Sequence, residues 1–146
     1  MAENKQKVVL DASVLLKFVI DEKEDREQAH DLKRRIGLNE IEPYIPSFCF
    51  YEISNILSKS TAFDSIKEVH IAYTTLRLYN CTEVPLDDFL VHDTFYLMKN
   101  TPKISFYDAI YHAIAILKKA TFITADKKYY NLMKSHGHIK LLSEWR

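Results

Sequence analysis

The chain has few of the residues that divide or brace a polypeptide: 146 positions hold two glycines, two cysteines, four prolines and one tryptophan. Gly37 and Gly137 stand far apart, so no Gly/Ser linker, low-complexity tract or repeat splits the sequence. A single domain over residues 1–146 is expected. Cys49 and Cys81 form no CxxC pair and have no partner at the spacing of a zinc site. Each lies in an apolar run and reads as a buried thiol rather than half of a disulfide. No segment approaches the ~20 consecutive apolar residues of a membrane span. The polar start has no signal-peptide core before the first apolar run, so residues 1–6 read as a flexible tail and a cytoplasmic location is expected. Neither sign of charge is in excess, with 20 Lys and Arg against 20 Asp and Glu.

Hydrophobic residues make up 47% of the chain and charged residues 27%, the balance of a soluble globular domain. A domain of this length buries roughly 70% of the surface its unfolded chain exposes, enough for one core. Strands are expected at residues 8–10, 44–46, 82–84, 121–124 and 139–142. Between them the pattern gives a short helix from about Ser13 and a charged helix over 22–36 with Ala29, Leu32 and Ile36 on one side. A further helix, capped by Ser47, runs through residue 57. Ser65 and Glu68 stand at capping-box spacing ahead of Val69, Ala72, Tyr73 and Leu76. Asp87 or Asp88 starts another helix, Ser105 precedes the most apolar one over 106–117, and Gly137 closes a helix over 127–134. Such alternation requires crossover connections, hence an α/β three-layer sandwich with a mostly parallel central sheet flanked by helices.

Four acids are embedded in apolar sequence, where an uncompensated charge is costly. Asp11 ends the first strand and Asp126 closes the run Phe122, Ile123, Thr124, Ala125, while Glu52 and Asp108 lie near helix starts. In a parallel sheet these positions share the carboxyl edge, where open α/β sheets bind ligands. All four carboxylates can therefore converge. Packed carboxylates repel and take up protons unless a cation holds them ionised, and an all-oxygen set suits Mg²⁺, with Mn²⁺ as a substitute. With the four acids set aside, 20 basic residues face 16 acidic ones, a surplus that favours a polyanionic substrate. The expected chemistry is metal-assisted phosphodiester hydrolysis by water. A haloacid-dehalogenase-type phosphatase is disfavoured, because Asp11-Ala12-Ser13 lacks the second Asp two positions on.

Four segments carry a resemblance: Val9-Leu10-Asp11-Ala12-Ser13-Val14-Leu15-Leu16-Lys17, Tyr51-Glu52-Ile53-Ser54-Asn55-Ile56-Leu57, Tyr107-Asp108-Ala109-Ile110-Tyr111-His112-Ala113-Ile114-Ala115 and Phe122-Ile123-Thr124-Ala125-Asp126-Lys127-Lys128. In that order they resemble the PIN-domain family, and within it the VapC-type toxin ribonucleases. The resemblance implies a PIN-like sandwich and a metal-dependent endoribonuclease whose acidic site and metal ligands are Asp11, Glu52, Asp108 and Asp126, with Asp11 and Asp108 the firmest. It also implies supporting hydroxyls at Ser13 and Thr124, and a cognate antitoxin bound across the site. One departure is that residues 117–121 lack the glycine many relatives carry there.

His112, four residues after Asp108, shares its helical face and is a candidate substrate contact. Lys127 and Lys128 are the basic pair best placed to meet RNA phosphates. The helices over 48–57 and 65–79 carry more large apolar side chains than one core face needs, so a homodimer is expected. Two alternatives remain open at this point. One is a housekeeping RNA-processing nuclease, whose relatives often add a zinc ribbon that is missing here. The other is a catalytically silent PIN-like module binding RNA or protein, which would usually have lost acids.

Overall fold

The computed structural model describes residues 4–146. Residues 1–3 of the expected tail lie outside the described residues, and the tail stops short of residue 6, because Gln6 already pairs with Ile41. Five strands, β1 (Gln6–Leu10), β2 (Ile41–Pro46), β3 (Thr82–Val84), β4 (Thr121–Thr124) and β5 (Ile139–Leu141), form one sheet in the order β3-β2-β1-β4-β5. All four pairings are parallel. The helices are α1 (Ala12–Leu16), α2 (Arg26–Gly37), α3 (Cys49–Lys59), α4 (Ile66–Arg77), α5 (Asp88–Met98), α6 (Phe106–Lys118) and α7 (Lys127–Met133). Right-handed crossovers put α1 to α4 on one face of this sheet and α5 to α7 on the other. The expected three-layer α/β sandwich is the observed one. Among the described residues no helix is long and apolar enough to cross a membrane.

Local chemistry accounts for most boundaries. Ser65, Asp87 and Ser105 each accept the backbone N–H three residues on, which satisfies a donor that the first turn of a helix leaves free. The side chain of Glu68 returns to the Asp64 N–H, so the expected capping box closes one residue further out than the usual pattern. Ser47 does not cap α3. That helix starts after Phe48 with no side-chain cap, and the Ser47 N–H instead donates to the Val84 carbonyl. The second strand begins three residues before the expected 44, hidden in sequence by Pro43, which offers no N–H to a ladder. The charged helix starts at Arg26 rather than at 22, after Asp25 turns through a left-handed φ of 57°.

The core follows from α6. Its residues 109–115 are all buried, because this helix packs across β1, β2 and β4 on one side and against α5 on the other. The burial explains why its sequence is the most apolar in the chain. Helix α6 then ends at Lys119, whose φ of 54° is left-handed, a conformation glycine adopts without a Cβ penalty. Replacing Lys119 by Gly is expected to stabilise the fold by about 0.5–1 kcal/mol, since the left-handed cost to an L residue exceeds glycine's own entropic cost. Urea unfolding measures this, and an unchanged or lower midpoint would mean that the Lys119 side chain contributes more than its backbone strain costs.

Candidate active site at the carboxyl edge

The strand order reverses between β1 and β4, and the crevice beyond the carboxyl ends of those strands is the place where an open α/β sheet presents ligand groups. Leu10 pairs with Ile123, so the next residues, Asp11 and Thr124, stand side by side at the lip. The Thr124 hydroxyl donates to Asp11 Oδ2 at 2.9 Å and accepts from the Asp126 N–H at 3.0 Å. Thr124 is fully buried. It thus ties the Asp11 carboxylate to the backbone of Asp126. The Ser13 contribution comes from its backbone, whose N–H donates to Asp11 Oδ1 at 3.3 Å, rather than from its exposed hydroxyl. Asp126 caps α7 by accepting the Tyr129 N–H at 3.0 Å.

Glu52 and Asp108 arrive in the first turns of α3 and α6, helices that both begin at this edge. Tyr111, one turn after Asp108, donates its buried hydroxyl to Glu52 Oε2 at 3.0 Å and so joins the two elements. Sequence reading did not single out Tyr111. The available signal was its spacing of three from Asp108, which places both on one helical face.

The acids also act on one another through charge. Burial pushes Asp11 up to about 6, against the pull of the Thr124 and Ser13 hydrogen bonds, with further upward pressure from Asp108 and Glu52. Burial also raises Glu52, which the Tyr111 hydroxyl lowers and Asp108 raises. Asp108 is raised first by burial, is lowered by Ser105, and is raised again by Asp126. All four acids therefore share one electrostatic neighbourhood. They do not form a closed cage, since among the described residues no three His, Cys, Asp or Glu side chains stand close enough to hold a metal ion as arranged. The donor chemistry nonetheless suits a hard divalent cation. The groups are all oxygen, and Asp11, Glu52 and Asp108 are destabilised as anions, while Mg²⁺ takes one or two carboxylates and keeps waters for the rest.

His112 is not at the site. It is fully buried; its Nε2 lies 2.7 Å from the Gly137 carbonyl and its Nδ1 lies 3.0 Å from the Tyr129 hydroxyl. A carbonyl only accepts, so Nε2 carries the proton and Nδ1 accepts from Tyr129. Burial holds the imidazole pKa down, and the ring serves as a neutral clamp between α6, α7 and the turn before β5. The expectation of a substrate contact fails because the face it shares with Asp108 turns inward one turn along the helix. Lys127 and Lys128 are exposed in the first turn of α7, beside Asp126. The Lys118 and Lys119 pair lies at the far end of α6, where β4 begins, on the opposite edge of the sheet.

Residues 8–134 match the PIN domain family, and the chain belongs to it. No curated protein matches the sequence. Among solved structures it is similar to a chain of VapBC2 from Rickettsia felis bound to a DNA fragment from its promoter, with 15% identity and a TM-score of 0.66 over 93% of this chain and 97% of that one. A toxin-antitoxin complex from Klebsiella pneumoniae gives 15% identity and a TM-score of 0.66 over 92% and 97%. FitAcB from Neisseria gonorrhoeae gives 13% identity and a TM-score of 0.66 over 92% and 95%. These likenesses establish the fold.

The Asp11 carboxylate costs stability. Its folded pKa of about 6 lies above the ordinary value of 3.8, so the stabilising protonated form is fully present below the unfolded pKa and is lost as pH rises through the folded one. Asp11→Asn is expected to be more stable than wild type by about 1–2 kcal/mol near pH 7, with the gain vanishing near pH 3.5. Urea unfolding in EDTA at both pH values checks this, and a gain that does not depend on pH would rule out carboxylate desolvation as its source.

Proposed function

We propose that this protein is a metal-dependent endoribonuclease of VapC type, the toxin of a toxin-antitoxin pair. The observation that carries the reading is the set of four acids at the switch point of a PIN fold, three of them held above their ordinary pKa first by burial and then by a neighbouring carboxylate. A site that disfavours its own anions is one that a cation and a phosphate would complete. Asp11 and Asp108 are the proposed principal ligands of Mg²⁺ or Mn²⁺, with Glu52 and Asp126 as the other members of the acidic set. The ion would supply charge neutralisation at the phosphate and acidify water.

The chain's own contribution is positioning. Thr124 and the Ser13 amide hold Asp11 by both carboxylate oxygens, and Tyr111 holds Glu52 by one. Lys127 and Lys128 attract phosphate without reading sequence. A cysteine nucleophile is disfavoured, because burial pushes the Cys49 thiol up to about 12 and leaves it un-ionised.

The toxin reading brings a cytoplasmic location and an antitoxin partner with it; one similar solved structure is itself described as a toxin-antitoxin complex. A homodimer is supported by large apolar side chains that α3 and α4, which pack together, leave exposed, Ile56, Ile66 and Ile71 among them. Incubation of the purified protein with a mixed pool of structured and unstructured RNAs tests the reading. Cleavage is expected with Mg²⁺ or Mn²⁺, and it should fall to background in EDTA and in Asp108→Asn. Cutting that persists in EDTA, or in both Asp11→Asn and Asp108→Asn, would remove the metal site from the reaction.

A further inference from the structure

Beside the acidic edge lies a groove of about 240 Å³ lined by Ser47, Phe50, Tyr51, Ser54, Tyr73 and Arg77. Its floor is a stack. The Arg77 guanidinium carbon sits 3.8 Å above the centre of the Phe50 ring, and the edge of Tyr73 meets the same ring with centroids 5.6 Å apart. Two hydrogen bonds fix the guanidinium there, Nε donating to the Tyr73 hydroxyl at 3.0 Å and Nη1 to Glu83 Oε1 at 3.1 Å. One face of Arg77 is used by Phe50, yet its side chain keeps 44% of its accessibility, so the guanidinium remains open to solvent. A pre-oriented planar cation resting on an aromatic ring is a platform on which another flat ring can stack.

The groove's position says which ring. Ser47 directly follows β2 and donates its N–H to Val84 at the end of β3, so the groove opens at the carboxyl ends of the strands. Tyr51, 82% exposed at the rim, is the residue before Glu52. A strand with one phosphate at the carboxylates would carry a neighbouring base past this rim. The volume is below the ~300–1,000 Å³ of ligand pockets for whole small molecules, which suits a single base, and the exposed Ser47 and Ser54 hydroxyls border it as hydrogen-bonding groups for a base edge.

We propose that this groove is a subsite for one unpaired nucleobase of the RNA, stacked between the Arg77 platform and Tyr51. The choice of RNA as the strand rests on the nuclease reading above. Only an unpaired base can leave its helix to offer a ring face here, so the subsite would direct the enzyme to single strands and loops. A protein side chain in the same groove is the competing occupant.

Fluorescence anisotropy with short labelled oligonucleotides tests this on the full chain in Ca²⁺, an oxygen-seeking ion like Mg²⁺. The probes are single-stranded RNA, a ribose-phosphate strand of equal length without bases, and an RNA duplex. Wild type is expected to bind the single strand about 5-fold or more tighter than the baseless strand, as one base stacked on an aromatic or guanidinium plane would give. Tyr51→Leu and Arg77→Lys should each erase most of that difference while leaving baseless-strand binding unchanged. Tyr51→Phe should retain it. Arg77→Lys keeps the charge but loses the plane, and circular dichroism melting confirms that each variant is folded. Equal binding of the two single strands by wild type, full retention in both variants, or absence of strand binding would each overturn the subsite. A protein that cuts RNA but shows no base dependence would lose the subsite and keep the nuclease, whereas base-dependent binding without cleavage would do the reverse.

Discussion

The Thr124 hydroxyl donates to one strand-end aspartate and accepts from the backbone of the other, and most of the site depends on that double use. It ties β1 to β4 where the strand order reverses, so the register of the sheet and the placement of Asp11 are set by one arrangement. A hydroxyl is the group for this task because it can donate to a carboxylate and accept from an amide at the same time. The cost appears at Asp11, which is held in a partly desolvated position that resists ionisation. The fold thus carries a destabilised anion at its edge, the condition under which binding of a cation there also stabilises the native state.

The same economy recurs around the site. Asp11 and Asp126 each cap the helix that follows their strand, and Glu52 and Asp108 lie in first turns, where the helix dipole partly offsets their burial. Each acid is therefore held by ordinary secondary-structure chemistry before any ligand arrives. Tyr111 adds a second long-range link beside the Thr124–Asp11 bond, from a helix packed across the sheet to the first turn of α3.

Positive charge is sorted by topology. Lys118 and Lys119 finish a helix that runs away from the site, and Arg34 and Arg35 pair with Asp31 and Glu40 near the start of β2. Lys127 and Lys128 begin a helix at the carboxyl edge and remain exposed there. Three short basic clusters that look alike in sequence thus differ in whether a substrate at the acids could meet them.

Alternating apolar runs, capping residues and strand-end acids are local signals, and from them the sequence by itself determined the α/β class, all five strands and the positions of the four acids. These were legible because a caps-and-period pattern depends on neighbours three or four residues away. The strand order, the Thr124 bridge, the Tyr111 link to Glu52 and the burial of His112 were decided only by the tertiary structure. Each of these joins residues far apart in the chain, and His112 shows the limit of local reasoning most directly. Helical spacing put it beside Asp108, but whether that face meets substrate or core depends on how α6 lies across the sheet. Packing of distant apolar faces settled that, and it also stacked Arg77 on Phe50, a pairing that no spacing in the sequence announces.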